Sequence, residues 1–240
     1  KDATGAAIQK RLSEAVKALP KITVRENLGL VDLLTSPHHA VDPRRIYESP
    51  HVHGAYLFDE GSGAVEAILA ARTVLATGGL GYLYLHTTNP PSATGDGLAA
   101  AYRAHARIVN CEFVQFHPTA LYIPGKPRQL LTEALRGEGG LLVDKSGRRF
   151  MGKYAPEQME LAPRDVVSRA IFQEMAESGE PCVYLDLKPV AAKLDLEAHF
   201  PNILAACRAE GIEPLKQPIP VVPAAHYFCG GVLVDLDGRT

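Results

Sequence analysis

The first apolar pattern along the chain has helical spacing. Ile8, Leu12, Ala15, Val16 and Leu19 recur every three or four residues, and Lys10, Arg11, Glu14 and Lys17 fall between them. Thr4 is placed to cap this helix and Pro20 to close it. The period then shortens to two. Ile22 and Val24 predict a short strand, and a further apolar run covers Leu28 to Leu34. Val52 to Phe58, the turn 59–63 and Ala64 to Ala70 predict a hairpin. Residues 36–50 hold three prolines among polar side chains and read as a loop; the adjacent His38 and His39 there are poor metal geometry and are assigned no role.

Thr73 to Ala76 predicts a strand that runs into Thr77, Gly78, Gly79, Leu80 and Gly81. A second glycine turn, Thr94-Gly95-Asp96-Gly97, opens a helix carrying Leu98, Ala101, Tyr102 and Ala106. Strand then glycine is what backbone close to a phosphate or a planar cofactor requires, because a Cβ would hold the ligand away. Spacing alone favours Thr94 or Asp96 as a simple cap of that helix over cofactor contact. The full G-x-G-x-x-G fingerprint is missing: after Gly79-Leu80-Gly81 comes Tyr84 where the third glycine should fall. A main phosphate loop for a dinucleotide is therefore expected outside this chain.

The densest polar set interrupts an otherwise apolar stretch, Cys111 to Gly140. A strand over 111–117 puts Gln115 and His117 on one face. In a helical turn Thr132 and Arg136 share a face, and Glu133, three residues before Arg136, is in reach of it for an ion pair. One cation, two hydrogen-bonding groups and an orienting carboxylate suit a small anion that carries carboxylates. Further on, Val166, Val167, Ala170, Ile171 and Met175 mark a helix with Pro163 in its first turn. Arg164 is then a cation at the positive end of a helix, which calls for an anion: Asp165 or a bound carboxylate.

Tyr184 to Leu187 reads as a strand and 194–211 as helical with a break near Pro201. Residues 214–223 read as an extended, proline-rich strap between two bodies. The strap leads to His226, which is either a satisfied core histidine or part of a site, and to Gly230 and Gly231. Val232 to Val234 predicts a strand entering a turn at 235–238.

Composition narrows the class. The chain has 240 residues, 46% hydrophobic and 22% charged, with a net charge of -2. This near-neutral balance gives no electrostatic reason for nucleic acid or an anionic membrane as partner. No apolar run reaches the ~18 residues that span a bilayer. Cys111, Cys182, Cys207 and Cys229 show no metal spacing and are expected as buried free thiols, which fits a cytoplasmic setting. There is neither a signal-peptide core nor an initiator Met, so Lys1 is not expected to be a natural start.

VLATGG at 74–79, TTNP at 87–90, TGDG at 94–97, QFHPTALY at 115–122, LTEALRGEG at 131–139, LAPRDVVSRAI at 161–171 and HYFCGGV at 226–232 occur in that order. In this the chain resembles the succinate dehydrogenase, fumarate reductase and L-aspartate oxidase flavoproteins, and its wording is most similar to the L-aspartate oxidases. The resemblance implies α/β plus α+β architecture. It divides the chain into an incomplete Rossmann-like FAD-binding domain with a β-meander at 1–110, an inserted α+β capping domain at 111–225, and a return to the FAD-binding domain at 226–240.

The resemblance also implies FAD as cofactor, with Thr77, Gly78, Gly79, Thr94, Gly95, Asp96, Gly230 and Gly231 against it and no metal. Arg164, His117, Glu133 and Arg136 are implied as catalytic, with Arg164 the proton shuttle of fumarate reduction. His117, Thr132, Gln115 and His226 are implied to hold substrate. The implied reaction is oxidation of L-aspartate to iminoaspartate at the start of NAD biosynthesis, with O2 or fumarate as reoxidant and handover to quinolinate synthase. The alternatives are the succinate/fumarate reaction or a non-catalytic dicarboxylate-binding fragment. These residues taken alone are expected to be deficient in FAD binding and catalysis.

Overall fold

The computed structural model describes residues 4–240; the side chains of Thr4, His38 and His39 lie outside that description, and with them the expectations for the Thr4 cap and the paired histidines. In chain order the elements are α1 (Thr4–Lys17), β1 (Leu28–Thr35), β2 (Val52–Asp59), β3 (Ala64–Leu69), α2 (Asp96–Arg103), β4 (Ile108–Val109), β5 (Val114–Leu121) and β6 (Gln129–Leu130). They continue with α3 (Ala134–Gly137), β7 (Leu141–Val143), α4 (Arg164–Ser178), β8 (Val183–Asp186), α5 (Lys188–Ala191), α6 (Leu196–His199), α7 (Pro201–Ala209), β9 (Ile219–Phe228) and β10 (Gly231–Val232). They fall into two compact units. One, the glycine-turn unit, holds Gly5–Leu83, Pro91–Phe113 and Phe228–Thr240. The other, the large-sheet unit, is built from Tyr84–Pro90 and Val114–Tyr227.

In the glycine-turn unit β1, β2 and β3 form an antiparallel sheet in that order. The predicted hairpin is β2–β3, closed by Asp59 Oδ1 accepting from the Gly61 N–H at 2.8 Å. Arg103 of α2 reaches Asp32 of β1 at 3.1 Å. A second small sheet pairs β4 with β10, Val109 opposite Gly231. The strands expected at Ile22–Val24 and Thr73–Ala76 are not formed. Neither segment has a neighbouring strand to complete its ladder, and a lone extended chain leaves its backbone groups to water.

The large-sheet unit is organised on five strands in the order β6-β5-β9-β8-β7. Buried Leu131, Leu135, Leu142, Ile171, Leu185 and Leu204 lead its apolar core. Expected elements recur here as α4, β8 and the helix broken at Phe200 into α6 and α7. The proline-rich strap is a correction: from Ile219 onward it is the central strand of the sheet. Pro220 sits opposite Tyr184, and its carbonyl accepts from the Tyr122 N–H at 2.9 Å. Proline removes one ladder donor here, at a position where strands usually exclude it. Full burial of Ile219, Val221, Val222, Ala224 and Ala225 outweighs that loss, at about 1.5–3 kcal/mol for each large side chain.

A second correction concerns the cysteines: Cys182 and Cys207 are buried thiols, but Cys111 and Cys229 are exposed. Among the described residues no helix is long and apolar enough to cross a membrane, and no group of three or more His, Cys, Asp or Glu could hold a metal ion.

Candidate functional site

The large-sheet unit gathers the polar residues of the central stretch. β5 carries Gln115 and His117, the short α3 follows Glu133 and carries Arg136, α4 starts at Arg164, and β9 delivers His226 near its end. Arg164 Nε and Nη2 lie 2.7 and 2.6 Å from Glu133 Oε2, and Nη1 donates to Gln115 Oε1 at 2.9 Å. Asp165, the neighbouring carboxylate, pairs instead with Arg169 one helical turn on. The anion beside Arg164 is therefore Glu133. Partial burial pushes the Glu133 carboxyl up, but the hydrogen bond and charge of Arg164, helped by Arg136, outweigh it and leave the group below its ordinary range.

Arg136 is the largest fully buried side chain. Its Nη2 is 3.5 Å from Glu133 Oε1, the ion pair that the spacing predicts, and its Nη1 donates to the Glu160 carbonyl at 2.5 Å. Nε and Nη2 have no hydrogen-bond partner. Burial pushes this guanidinium down, with the Glu133 charge acting the other way. Two unsatisfied donors on a buried cation are costly unless an anion takes them.

His117 is 1% exposed, and its Nδ1 accepts from the Thr119 N–H at 3.2 Å. An accepting Nδ1 puts the ring proton on Nε2, so His117 offers one donor. Burial, then the charges of Arg164, His226 and Arg136, push its pKa down to about 4, so the ring is neutral at pH 7. The His226 ring packs against it edge-on at 5.5 Å and is pushed down by burial and by Arg164. Thr88 Oγ1, 2.9 Å from His226 Nδ1, and Asn89, whose side-chain amide donates to the His226 carbonyl at 2.9 Å, hold that histidine. Sequence reasoning gave neither residue a role: Thr88 lies 138 positions from His226, and no local spacing signals such a pair. Thr132 is not tied to this group by a hydrogen bond; its hydroxyl accepts from the Ala134 N–H at 3.4 Å.

The glycine-turn unit gathers the other expected set. A Cβ on Gly97 would lie 1.9 Å from Thr77 Oγ1, so the two glycine turns touch where only glycine fits. Neither Thr94 nor Asp96 caps α2: Gly95, at φ 82°, occupies the cap without a side-chain bond, and the Thr94 hydroxyl donates to Asp96 Oδ2 at 2.7 Å. Gly230 packs on the carbonyls of Val109 and Asn110, which brings the 228–231 turn onto the end of β4. Gly78, at φ 74°, and Gly231 have nothing within 4 Å where a Cβ would stand. Backbone left open in this way fits the edge of a planar ring or a phosphate.

The model of the FAD binding domain matches residues 1–240. The chain belongs to that FAD-binding family. FAD is the cofactor of the family, and the open glycine backbone at Gly78 and Gly231 is compatible with it. Among curated members the chain is 50% identical over 239 residues to L-aspartate oxidase 1 of Ralstonia nicotianae and 47% identical to L-aspartate oxidase of Pseudomonas aeruginosa. It is covered completely in both matches but spans only 43% of either relative's length. A solved point mutant of an E. coli quinol fumarate reductase superposes with a TM-score of 0.75 at 36% identity, over 96% of this chain and 40% of that one. The mixed α/β fold is thus that of the FAD-binding domain in these flavoproteins.

Proposed function

We propose that the chain is the dicarboxylate-holding and part of the flavin-holding portion of an FAD-dependent L-aspartate oxidase. The observation that carries this reading is the charge of the large-sheet site. Two guanidiniums, Arg136 and Arg164, share one carboxylate, Glu133, beside a neutral His117, which leaves one net positive charge and unfilled donors. L-Aspartate, with two carboxylates and one ammonium, carries one net negative charge and balances it. The identity to L-aspartate oxidases over the whole chain supports the same reading.

In this proposal Arg136 Nε and Nη2 and His117 Nε2–H bind carboxylate oxygens, and His226 adds a further contact. Arg164 clamps the substrate while Glu133 fixes its plane. A neutral His117 orients by hydrogen bonding without drawing the amine proton, and Thr132 and Gln115 complete the lining. FAD, when bound, would supply the acceptor for the hydride from the substrate Cα, and with one proton of the substrate ammonium released to solvent the product would be protonated iminoaspartate. Gly78 and Gly231 keep backbone open to the cofactor, while Thr77, Gly79 and Gly230 flank them against it. Asp96 at the start of α2 would repel a phosphate and so accepts from a ribose or ribityl hydroxyl, with Thr94 setting its carboxylate and Gly95 its backbone.

The glycine-turn unit is then the incomplete FAD-binding domain, and the large-sheet unit the capping domain. Reoxidation by O2 or fumarate, a cytoplasmic setting, the first step of NAD biosynthesis and handover to quinolinate synthase belong to the same proposal. The likeness to quinol fumarate reductase favours the succinate/fumarate reaction as the second reading. Anaerobic titration of the FAD-loaded natural polypeptide that carries this chain separates the two. Bleaching by L-aspartate but not succinate is expected, bleaching by succinate alone moves the protein to the second reading, and failure to take up flavin removes both.

A further inference from the structure

We propose that Glu160 is a positioning residue of the anion site, acting through Arg136; the inference rests on the dicarboxylate reading above. Glu160 lies in the 3-10 turn Met159–Leu161 and is 3% exposed. Its Oε1 accepts from the Leu142 N–H of β7 at 3.1 Å and from Arg149 Nε at 2.9 Å, and its Oε2 accepts from Arg149 Nη2. With Glu160 buried and Arg149 exposed, the pair gives little net stability, since desolvation of the carboxylate and solvent screening of the guanidinium offset the attraction. Its effect is to fix geometry. What it fixes is the peptide whose carbonyl holds Arg136 Nη1, leaving Nε and Nη2 for a ligand.

The backbone around Glu160 points the same way. Met159, just before it, has φ 51°, a conformation that a residue with a side chain adopts only when its surroundings enforce it. The Met159 N–H donates to the Ala155 carbonyl at 2.7 Å, and the Met159 carbonyl accepts from Ala162 at 3.2 Å. Two residues later α4 begins with Arg164. One anchored turn therefore sets both arginines: Arg136 by a hydrogen bond and Arg164 by chain continuity. No sequence spacing announces this, because Glu160 meets Leu142 and Arg149 only after folding.

The test measures succinate affinity, from its perturbation of bound-flavin absorbance, in the FAD-loaded natural polypeptide carrying this chain. Glu160→Gln keeps an oxygen for the Leu142 N–H but loses the charge facing Arg149. Arg149→Lys, at the more exposed partner, keeps the charge, loses the two-pronged grip and serves if Glu160→Gln does not fold. Each is expected to weaken succinate binding about tenfold with FAD affinity unchanged, and to add no further loss in an Arg136→Met background. Losses that add in that background, or unchanged affinity in both variants, would overturn the inference alone. No binding of succinate or L-aspartate by the unsubstituted protein would overturn the dicarboxylate reading and this inference together.

Discussion

Arg164 and Glu133, 31 positions apart in sequence, meet through two guanidinium nitrogens on one carboxylate oxygen, at 2.7 and 2.6 Å. A cation in the first turn of α4 opposes the helix dipole, and Glu133 offsets that opposition. Both side chains remain partly exposed, so the pair adds no more than about 1 kcal/mol to stability. Its value lies in holding a guanidinium plane at one angle. With Arg136 on its other oxygen, Glu133 keeps two arginines within reach of one ligand without letting either neutralise it.

Glu133→Gln should therefore separate binding from turnover. Removing the carboxylate makes the site more positive, so the dissociation constant for succinate should not rise. Arg164 loses its guide, and the rate of anaerobic flavin reduction by L-aspartate should fall by roughly 10–100-fold, the range in which one misplaced orienting group acts. Stopped-flow reduction with a parallel binding titration checks both. A rise in the dissociation constant at an unchanged rate would contradict this role.

His117 makes stability depend on pH. An unfolded histidine takes up its proton near 6.5, whereas His117 in the fold does so only at about 4. Between those values the unfolded chain binds more protons, so stability is full above pH 6.5 and falls as the pH drops toward 4. The difference amounts to roughly 3 kcal/mol. Urea midpoints from pH 7 to 4 should fall less steeply for His117→Asn than for the unsubstituted protein, and equal slopes would exclude His117 as the source.

Gly97 tolerates no side chain. In Gly97→Ala the new methyl would meet Thr77 Oγ1 at 1.9 Å and Thr77 Cβ at 2.9 Å. A cost of about 1–3 kcal/mol and weaker FAD retention are expected. Thr77→Gly in the same chain should restore stability in part, measurable as a rise in thermal midpoint. No recovery would mean that the clash lies elsewhere.

The thiols should sort by exposure. Burial pushes Cys182 up and Cys207 up to about 11, so neither supplies much thiolate at pH 8, whereas Cys111 and Cys229 are open to reagent. In the FAD-free natural polypeptide Cys111 and Cys229 should react quickly and Cys182 and Cys207 only after unfolding, each followed by peptide mapping. FAD should protect Cys229, next to Gly230, and leave Cys111 reactive. Equal protection of both, or of neither, would count against flavin at the 228–231 turn.

How much of this could be read from residues depends on the range over which each feature is decided. The hairpin, α4 and the break at Phe200 follow from period, turn residues and proline within a few positions, and they form as read. The site residues stand out because polar groups at Gln115, His117, Glu133 and Arg136 interrupt apolar runs. Partner choice is different. Glu133 with Arg164, Thr88 with His226 and Glu160 with Arg149 are settled by how the sheet stacks its neighbours, and adjacent residues such as Asp165 offer a false candidate. The strand at 219–228 was hidden by its own prolines, since local propensity argues against what burial on both of its faces enforces.

That strand is also the last to leave the ribosome among the five of its sheet, although it stands in the middle of them. Until residue 228 has emerged, β5 and β8 each present a bare edge that no other strand of the nascent chain is meant to cover. The anion site is thus closed from its flanks inward, with His226 arriving after Gln115, His117, Glu133, Arg136 and Arg164. A chain stalled before residue 219 would hold most of the chemistry and two open strand edges, which makes premature termination a route to aggregation rather than to a weaker enzyme.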